Sequence, residues 1–350
     1  MRVVVVGASG NVGTSLLRSL AAEPAVDSVL GLCRRVPEAT FAKTEWRRAD
    51  VVSTPLRPLF QGADAVVHLA WLIQPGRDKQ TLRAVNVDGS ARVFRAAATA
   101  GVRTLVYASS VGAYAPGPKD RRVDESWPTT GIQSSFYSRH KAEVERQLDR
   151  FEQEAARIRV VRLRPGLIFK RDAASGIRRL FAGPLLPNAL VRPGLIPFVP
   201  RHERLVFQAV HSHDVGEAYR LALMGDVRGA FNVAAEPVLD PDELGRVLGA
   251  RPVSVPGPLL RAGAAASFRL RLQPSEPGWL DMGLGVPLMD VTRAREELGW
   301  QPRHSASEAL LDLLKGMREG AGLETPPLEP GGAGPLRARE FLSGVGGRTG

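Results

Sequence analysis

With 350 residues, 44% of them apolar, the chain can bury a substantial core, and its single cysteine, Cys33, rules out an internal disulfide. No window approaches the ~20 uninterrupted apolar residues of a membrane span, and the first apolar run is broken too early for a secretory signal, so a cytoplasmic protein that stays off membranes is expected. The net charge of +11, from 47 basic and 36 acidic residues, admits nucleic acid in principle, but no helix–turn–helix pattern or aromatic platform accompanies it, so the expected partner is a small molecule.

The chain begins MRVVVVGASGNVG. Val3 to Val6 have the composition of a strand buried on both faces, and from Asn11 onward Leu16, Leu17 and Leu20 follow helical spacing. Gly7, Gly10 and Gly13 fall between them, where a missing Cβ lets the backbone turn tightly, approach a pyrophosphate and pack helix on strand. The helix start would offer free N–H groups and a positive dipole end to the phosphates.

Further short apolar runs follow at residues 28–33, 64–70, 103–108 and 158–163. Helical patterns separate them, at 77–100, ending on Gly101, and at 133–151. That alternation predicts an α/β fold with a Rossmann-type, doubly wound parallel sheet. Residues 1–165 would form the dinucleotide-binding core, and residues 166–319 would add late sheet and helix elements and the substrate-binding part. After Pro165 the prolines at 184, 187, 193, 197 and 200 predict loops that cover substrate. Regular structure resumes with helices over 214–224, 240–248 and 305–317 and a strand over 230–234. The Gly- and Pro-rich residues 320–350 are expected to be disordered.

Tyr137-Ser-Arg-His-Lys141 places a phenol and an ammonium four residues apart on one helical face. A tyrosine of pKa ~10 needs a nearby cation to favour its phenolate, and Tyr137 so tuned could exchange a proton with a substrate hydroxyl or carbonyl while hydride moves to or from a nicotinamide. Ser109 and Ser110 end a predicted strand at the sheet edge where ligands bind, so a hydroxyl there could hold the substrate oxygen, or could merely form a turn.

The basic residues Arg157, Arg159, Arg162, Arg164, Lys170, Arg171, Arg178 and Arg179, facing only Asp172, read first as a solvated face and second as attraction for a phosphate-bearing ligand. Arg178, Arg192, Arg201 and Arg204 could hold a diphosphate or be exposed. His211 and His213 make zinc conceivable, but no metal is expected. Trp71 reads as a pocket wall, and Cys33 as a buried residue or one beside an adenosine.

Taken together, GASGNVG, the ADV at 49–51, HLA at 68–70, VNVDGS at 85–90, ASSVGAY, YSRHK, RPGLIF at 164–169, FQAVHSHDVGEA at 207–218 and LGWQP at 298–302 resemble an extended short-chain dehydrogenase/reductase (SDR) of the NAD-dependent epimerase/dehydratase family. The resemblance covers roughly residues 1 to 320. It implies Ser110 as catalytic serine, Tyr137 as acid/base, Lys141 as its tuner and a nicotinamide-ribose ligand, and Asn86 as the asparagine linked to proton relay. It further implies a cofactor held by Gly7, Ser9, Gly10, Asn11, Val12 and Gly13, by Asp50 and Val51 beside the adenine, and by Leu69, Ala70 and Pro165 along the channel. Relatives often dimerise through two long helices, so a homodimer is open to this chain.

Two departures from the family pattern matter. Where an NAD enzyme of this kind usually has an acid for the ribose, the chain reads Cys33-Arg34-Arg35, which favours NADP(H) over NAD(H), because guanidinium groups pair with a 2′-phosphate that a carboxylate would repel. Where sugar-nucleotide dehydratases carry Asp and Glu, it has Val111 and Gly112, which disfavours elimination. The expected activity is therefore hydride transfer at an alcohol or ketone carbon. A nucleotide-sugar epimerase with tightly bound NAD and a non-catalytic cofactor-binding sensor or assembly protein are the alternatives.

Overall fold

In the computed structural model, which describes residues 1–74, 77–181 and 193–330, seven strands pair in parallel. They are β1 (Arg2–Val6), β2 (Ser28–Cys33), β3 (Thr44–Arg48), β4 (Ala65–His68), β5 (Thr104–Ala108), β6 (Arg159–Pro165) and β7 (Gly229–Val233). Their order across the sheet is β7-β6-β5-β4-β1-β2-β3. The expected doubly wound sheet is present. The order reverses at β1, whose Val3 pairs with Val29 of β2 on one side and Ala65 of β4 on the other. Such a reversal opens a crevice at the carboxyl ends of the strands.

Alternation along β1 sends Val3 and Val5 into one core and Val4 and Val6 into another. The first lies under helix α1 (Asn11–Ala21), through Leu16, Leu17 and Leu20, together with Val215, Ala218 and Tyr219. The second lies under α2 (Gly89–Thr99), with Val93, Phe94 and Ala97, and under α3 (Phe136–Glu154), with Val144, Leu148 and Phe151. Helix α4 (Ser212–Met224) crosses α1 closely enough for the Ser15 and Ser212 hydroxyls to lie 2.9 Å apart.

The long helix expected over 77–100 is interrupted. An α-helical turn (Lys79–Arg83) passes through a π-helical one (Ala84–Asp88) before α2. The strand β3 had no signal in the sequence, because TEWRR is a mostly exposed sheet edge whose one large apolar group, Trp46, bonds through its indole N–H to Ala39 O at 2.9 Å. The C-terminal half adds three-stranded and two-stranded sheets around a third core containing Val199, Leu239, Leu244 and Leu314, closed by α5 (Pro241–Leu248) and α6 (Ala306–Glu319).

Two expectations are corrected. Arg159, Arg162, Arg164, Lys170 and Arg178 are buried, not a solvated face; Arg157 and Arg171 are exposed. Arg159 caps α4 by donating to the carbonyls of Ala222, Leu223 and Val227. Residues 321–330 are not loose either: Ala321 N–H donates to Gly316 O, Leu323 N–H to Leu328 O, and Thr325 and Leu328 are buried. The remainder of the expected tail, 331–350, lies outside the described residues, as do Pro184, Pro187 and Arg192. Among the described residues no helix is long and apolar enough to cross a membrane.

His68, fully buried at the end of β4, shares a 2.9 Å hydrogen bond with the Ser90 hydroxyl and packs against Phe94 and Tyr107. Burial, helped by the charge of Lys141, lowers its pKa to about 3, so the native state keeps the imidazole neutral while the unfolded chain protonates it near ~6.5. Its contribution is complete above ~6.5 and is lost as pH falls from there toward 3. His68→Gln should therefore lose less thermal stability than the wild type between pH 7.5 and 5, by about 2 kcal/mol; identical losses in melting scans would contradict this.

Candidate active site

The turn after β1 is shaped by what cannot fit in it. Gly7 has φ +88°, and a Cβ there would lie 2.6 Å from the Ala70 amide nitrogen; one on Gly13 would lie 2.7 Å from Gly7 O. Gly7 N–H donates to Leu32 O at 2.8 Å and Leu69 N–H to Val6 O at 2.8 Å, so β1, β2 and the segment after β4 close on one point. Helix α1 starts at Gly10 with no side-chain cap. The Asn11 Nδ2 donates to Ile168 O at 3.3 Å, while its Oδ1 is buried without a partner. These are features into which a pyrophosphate fits: a backbone cradle that side chains would fill, free amides, and an unmatched buried atom.

Around this turn the other predicted cofactor residues gather unevenly. Ser9 is buried and hydrogen-bonds Cys33, whose thiol burial pushes up to about 11. Arg34 and Arg35 are exposed at the end of β2. Asp50 Oδ1 accepts from Val52 N–H at 2.9 Å, and Val51 is buried, its carbonyl held by Arg92 at 2.8 Å. Val12, Leu69 and Ala70 are half-buried, and Pro165, at the end of β6, is buried.

Ser110, Tyr137 and Lys141 meet at the carboxyl end of β5. Ser110 Oγ accepts Gly112 N–H at 3.0 Å and is hydrogen-bonded to the Tyr137 phenol. Helix α3 begins at Ser135, whose side chain accepts Ser138 N–H, so Tyr137 and Lys141 sit in its first two turns. The expected tuning of Tyr137 by Lys141 is not what the geometry produces. Burial pushes the phenol up to about 12, with the Ser110 hydrogen bond opposing, and the Lys141 amine is turned elsewhere. It donates to Ala108 O at 2.6 Å and lies 3.5 Å from the Trp71 ring centroid, against 5.8 Å for Tyr137. Burial also drives the Lys141 pKa well below the ordinary ammonium range. Asn86 lies in the π-helical turn, where its amide accepts Leu72 N–H at 2.7 Å and donates to Leu72 O at 2.8 Å, clamping the loop that carries Trp71.

Sequence reasoning missed Glu145 and Lys170. Glu145, fully buried one turn beyond Lys141, accepts from Ser109 Oγ at 2.5 Å, Arg164 Nε at 2.9 Å and Arg162 Nη1 at 2.9 Å. Burial alone would raise its pKa, but Arg164, Arg162 and the Ser109 hydroxyl outweigh it and hold the carboxyl at about 2. Lys170 Nζ donates to Asn11 O, Thr14 Oγ1 and Ser15 Oγ at 2.8, 2.7 and 3.1 Å, and burial lowers it to about 7. The signal for Glu145 was its i, i+4, i+8 placement with Lys141 and Tyr137; Lys170 had none.

The histidines form a clasp. His304 Nδ1 lies 3.0 Å from Asp214 Oδ2, which also accepts His304 N–H, while His211 Nε2 lies 3.2 Å from Asp312 Oδ2. The donor atoms of His211, Asp214 and His304 lie within 4.8 Å of one another, a grouping able to hold a metal that the sequence reading did not include. Of the arginines considered for a diphosphate, Arg178 is buried, Arg201 pairs with Asp242, and Arg204 donates to Leu284 O and Gly117 O.

Residues 3–234 match the NAD dependent epimerase/dehydratase family. An uncharacterized protein of Mycobacterium tuberculosis is 29% identical over 326 residues, which is 92% of this chain but 31% of that protein. The chain thus spans about a third of that relative's length. The sterol-4-alpha-carboxylate 3-dehydrogenase, decarboxylating, of Saccharomyces cerevisiae is 24% identical over 284 residues, covering 74% of this chain and 78% of its own. Among solved structures, the UDP-glucose 4-epimerase of Thermus thermophilus in complex with NAD aligns with TM-score 0.66 and 22% identity over 91% of this chain and 99% of that one.

Because Glu145 is a buried charge between two buried charges, Glu145→Gln should destabilise the fold by about 3–5 kcal/mol in urea unfolding. A loss below about 1 kcal/mol would show that the pairing matters little.

Proposed function

The chain belongs to the NAD-dependent epimerase/dehydratase family, and from that premise we propose that it is an NAD(P)-dependent oxidoreductase that moves hydride between a nicotinamide and an alcohol or ketone carbon of a small molecule. The observation that carries this reading is the meeting of Ser110, Tyr137 and Lys141 beside the glycine turn, at the sheet's carboxyl edge. Gly7, Gly10, Gly13 and the uncapped start of α1 would hold the pyrophosphate, with Ser9, Asn11 and Val12 around it. Asp50 and Val51 would flank the adenine, and Leu69, Ala70 and Pro165 would line the channel. When bound, the nicotinamide supplies or accepts the hydride.

The chain's own part is the proton. The Tyr137 phenol, whose pKa burial pushes up to about 12, is protonated at neutral pH, and in carbonyl reduction it would give that proton to the substrate oxygen. Ser110 would orient that oxygen through its hydroxyl hydrogen. Lys141, anchored on Ala108 O, would bind the nicotinamide ribose, and Asn86 would act as a positioning residue through the loop that carries Trp71. The exposed Arg34 and Arg35, with no carboxylate at the end of β2, support NADP(H) over NAD(H). Val111 and Gly112 provide no acid or base for elimination, so dehydration is disfavoured. A nucleotide-sugar epimerase retaining NAD is the second reading, and the likeness to the Thermus epimerase favours it.

Tyr137→Phe should lower kcat by about 10²–10⁴-fold while leaving cofactor affinity unchanged; undiminished turnover would remove Tyr137 from the proton step. Replacing Arg34 and Arg35 by Ser should weaken NADPH by about tenfold or more and NADH far less. Equal effects on the two nucleotides in binding titrations would contradict the NADP(H) preference.

A further inference from the structure

We infer that the substrate of this site is an apolar ring compound, an alicyclic or aromatic alcohol or ketone, and not a nucleotide sugar. The inference rests on the reading that Tyr137 exchanges a proton with a substrate oxygen. Tyr137 meets Trp71 edge-on with ring centroids 5.8 Å apart and Trp279 at 4.8 Å, tilted by 38°. Trp279 in turn takes the edge of Phe181 at 5.0 Å and of Phe136 at 6.1 Å. Tyr137 and Trp279 pack against the apolar cluster of Ile132, Met282 and Val286.

A nucleotide sugar brings several hydroxyls and a doubly charged diphosphate, each of which needs polar or cationic side chains. The polar group bonded to the phenol is the Ser110 hydroxyl, and on the adjoining ring the Trp71 indole N–H is buried with no hydrogen-bond partner. Few donors of this kind suit one oxygen on an otherwise apolar skeleton. Three described cations of the neighbouring segments are engaged: Arg204 by Leu284 O and Gly117 O, Lys119 by Val206 O and Gly283 O, Arg261 by Asp281.

The helix packed on the segment carrying Trp279 has apolar surface left to cover. The helix Pro277–Gly285 packs on the helix Gly257–Arg269, none of whose residues is buried. Leu259 is 63% exposed and Leu270, just past the helix end, 64%. Apolar and aromatic side chains are the usual lining of a site for a water-poor ligand.

The test titrates 2-decalone and UDP-glucose into the cofactor-saturated full-length protein, following tryptophan quenching for binding and NADPH consumption for turnover. 2-Decalone should bind and be reduced, and UDP-glucose should do neither. Trp279→Ala should weaken 2-decalone by about tenfold or more with cofactor affinity unchanged, and Trp279→Phe should restore most of the loss. UDP-glucose binding more tightly than 2-decalone, or 2-decalone failing to bind up to its solubility, overturns the proposal. Binding of 2-decalone that depends on Trp279 but gives no turnover upholds the apolar site and counts against the hydride-transfer reading alone.

Discussion

A carboxylate with no exposure, Glu145, held between two guanidinium groups, is the constraint on which the site's geometry depends. An isolated buried carboxylate is too costly to keep, so its partners must be fixed in place, and both come from β6, two residues apart on one face of the strand. The third partner is the Ser109 hydroxyl at the end of β5. Glu145 therefore ties α3 to two strands at once. Tyr137 and Lys141 lie on the same stripe of that helix, two turns and one turn nearer its start, so the pairing sets where the phenol and amine stand relative to Ser110. Arg164 carries the network on to the Tyr114 hydroxyl at 3.0 Å, and Tyr114 donates to Asn232 of β7 at 2.6 Å.

The glycine turn imposes the second condition, through space rather than charge. Gly7 lets the chain pass against Ala70, which brings the α1 start next to the loop that carries Trp71. Lys170 fastens the C-terminal half to the same helix by its bonds to Asn11, Thr14 and Ser15. The glycine turn, the helix of Tyr137 and Lys141 and the aromatic wall are thus separate in sequence yet share one mounting, as the proposed site, which would hold two reactants in register, requires.

What could be read from residues alone was local. Runs such as Val3 to Val6 and the glycine spacing declare a buried strand and its turn, and Tyr137 with Lys141 declares a helical face. The helices expected over 240–248 and 305–317 form for an equally local reason, since the Asp240 and Ser305 side chains accept the N–H groups of Glu243 and Glu308, three residues on. What escaped depends on partners far along the chain. Arg162 and Arg164 looked like surface because nothing nearby announces Glu145, and Lys170 is paired across more than 150 residues. The tuning of Tyr137 failed differently: spacing set the right neighbours, but the backbone carbonyl of Ala108 and the face of Trp71 captured the amine.

The central proposal is that the nicotinamide docks beside Lys141 and Tyr137, next to the Trp71 indole that the Lys141 amine faces. It is tested most directly by energy transfer from protein tryptophan to added NADPH in the purified protein. The account predicts saturable sensitised nicotinamide emission that falls sharply when Trp71 and Trp279, the two indoles packed on Tyr137, are both replaced by Phe, while nucleotide binding persists. Nucleotide binding with no transfer in the wild type, or transfer unchanged in that double variant, would place the nicotinamide elsewhere and contradict it.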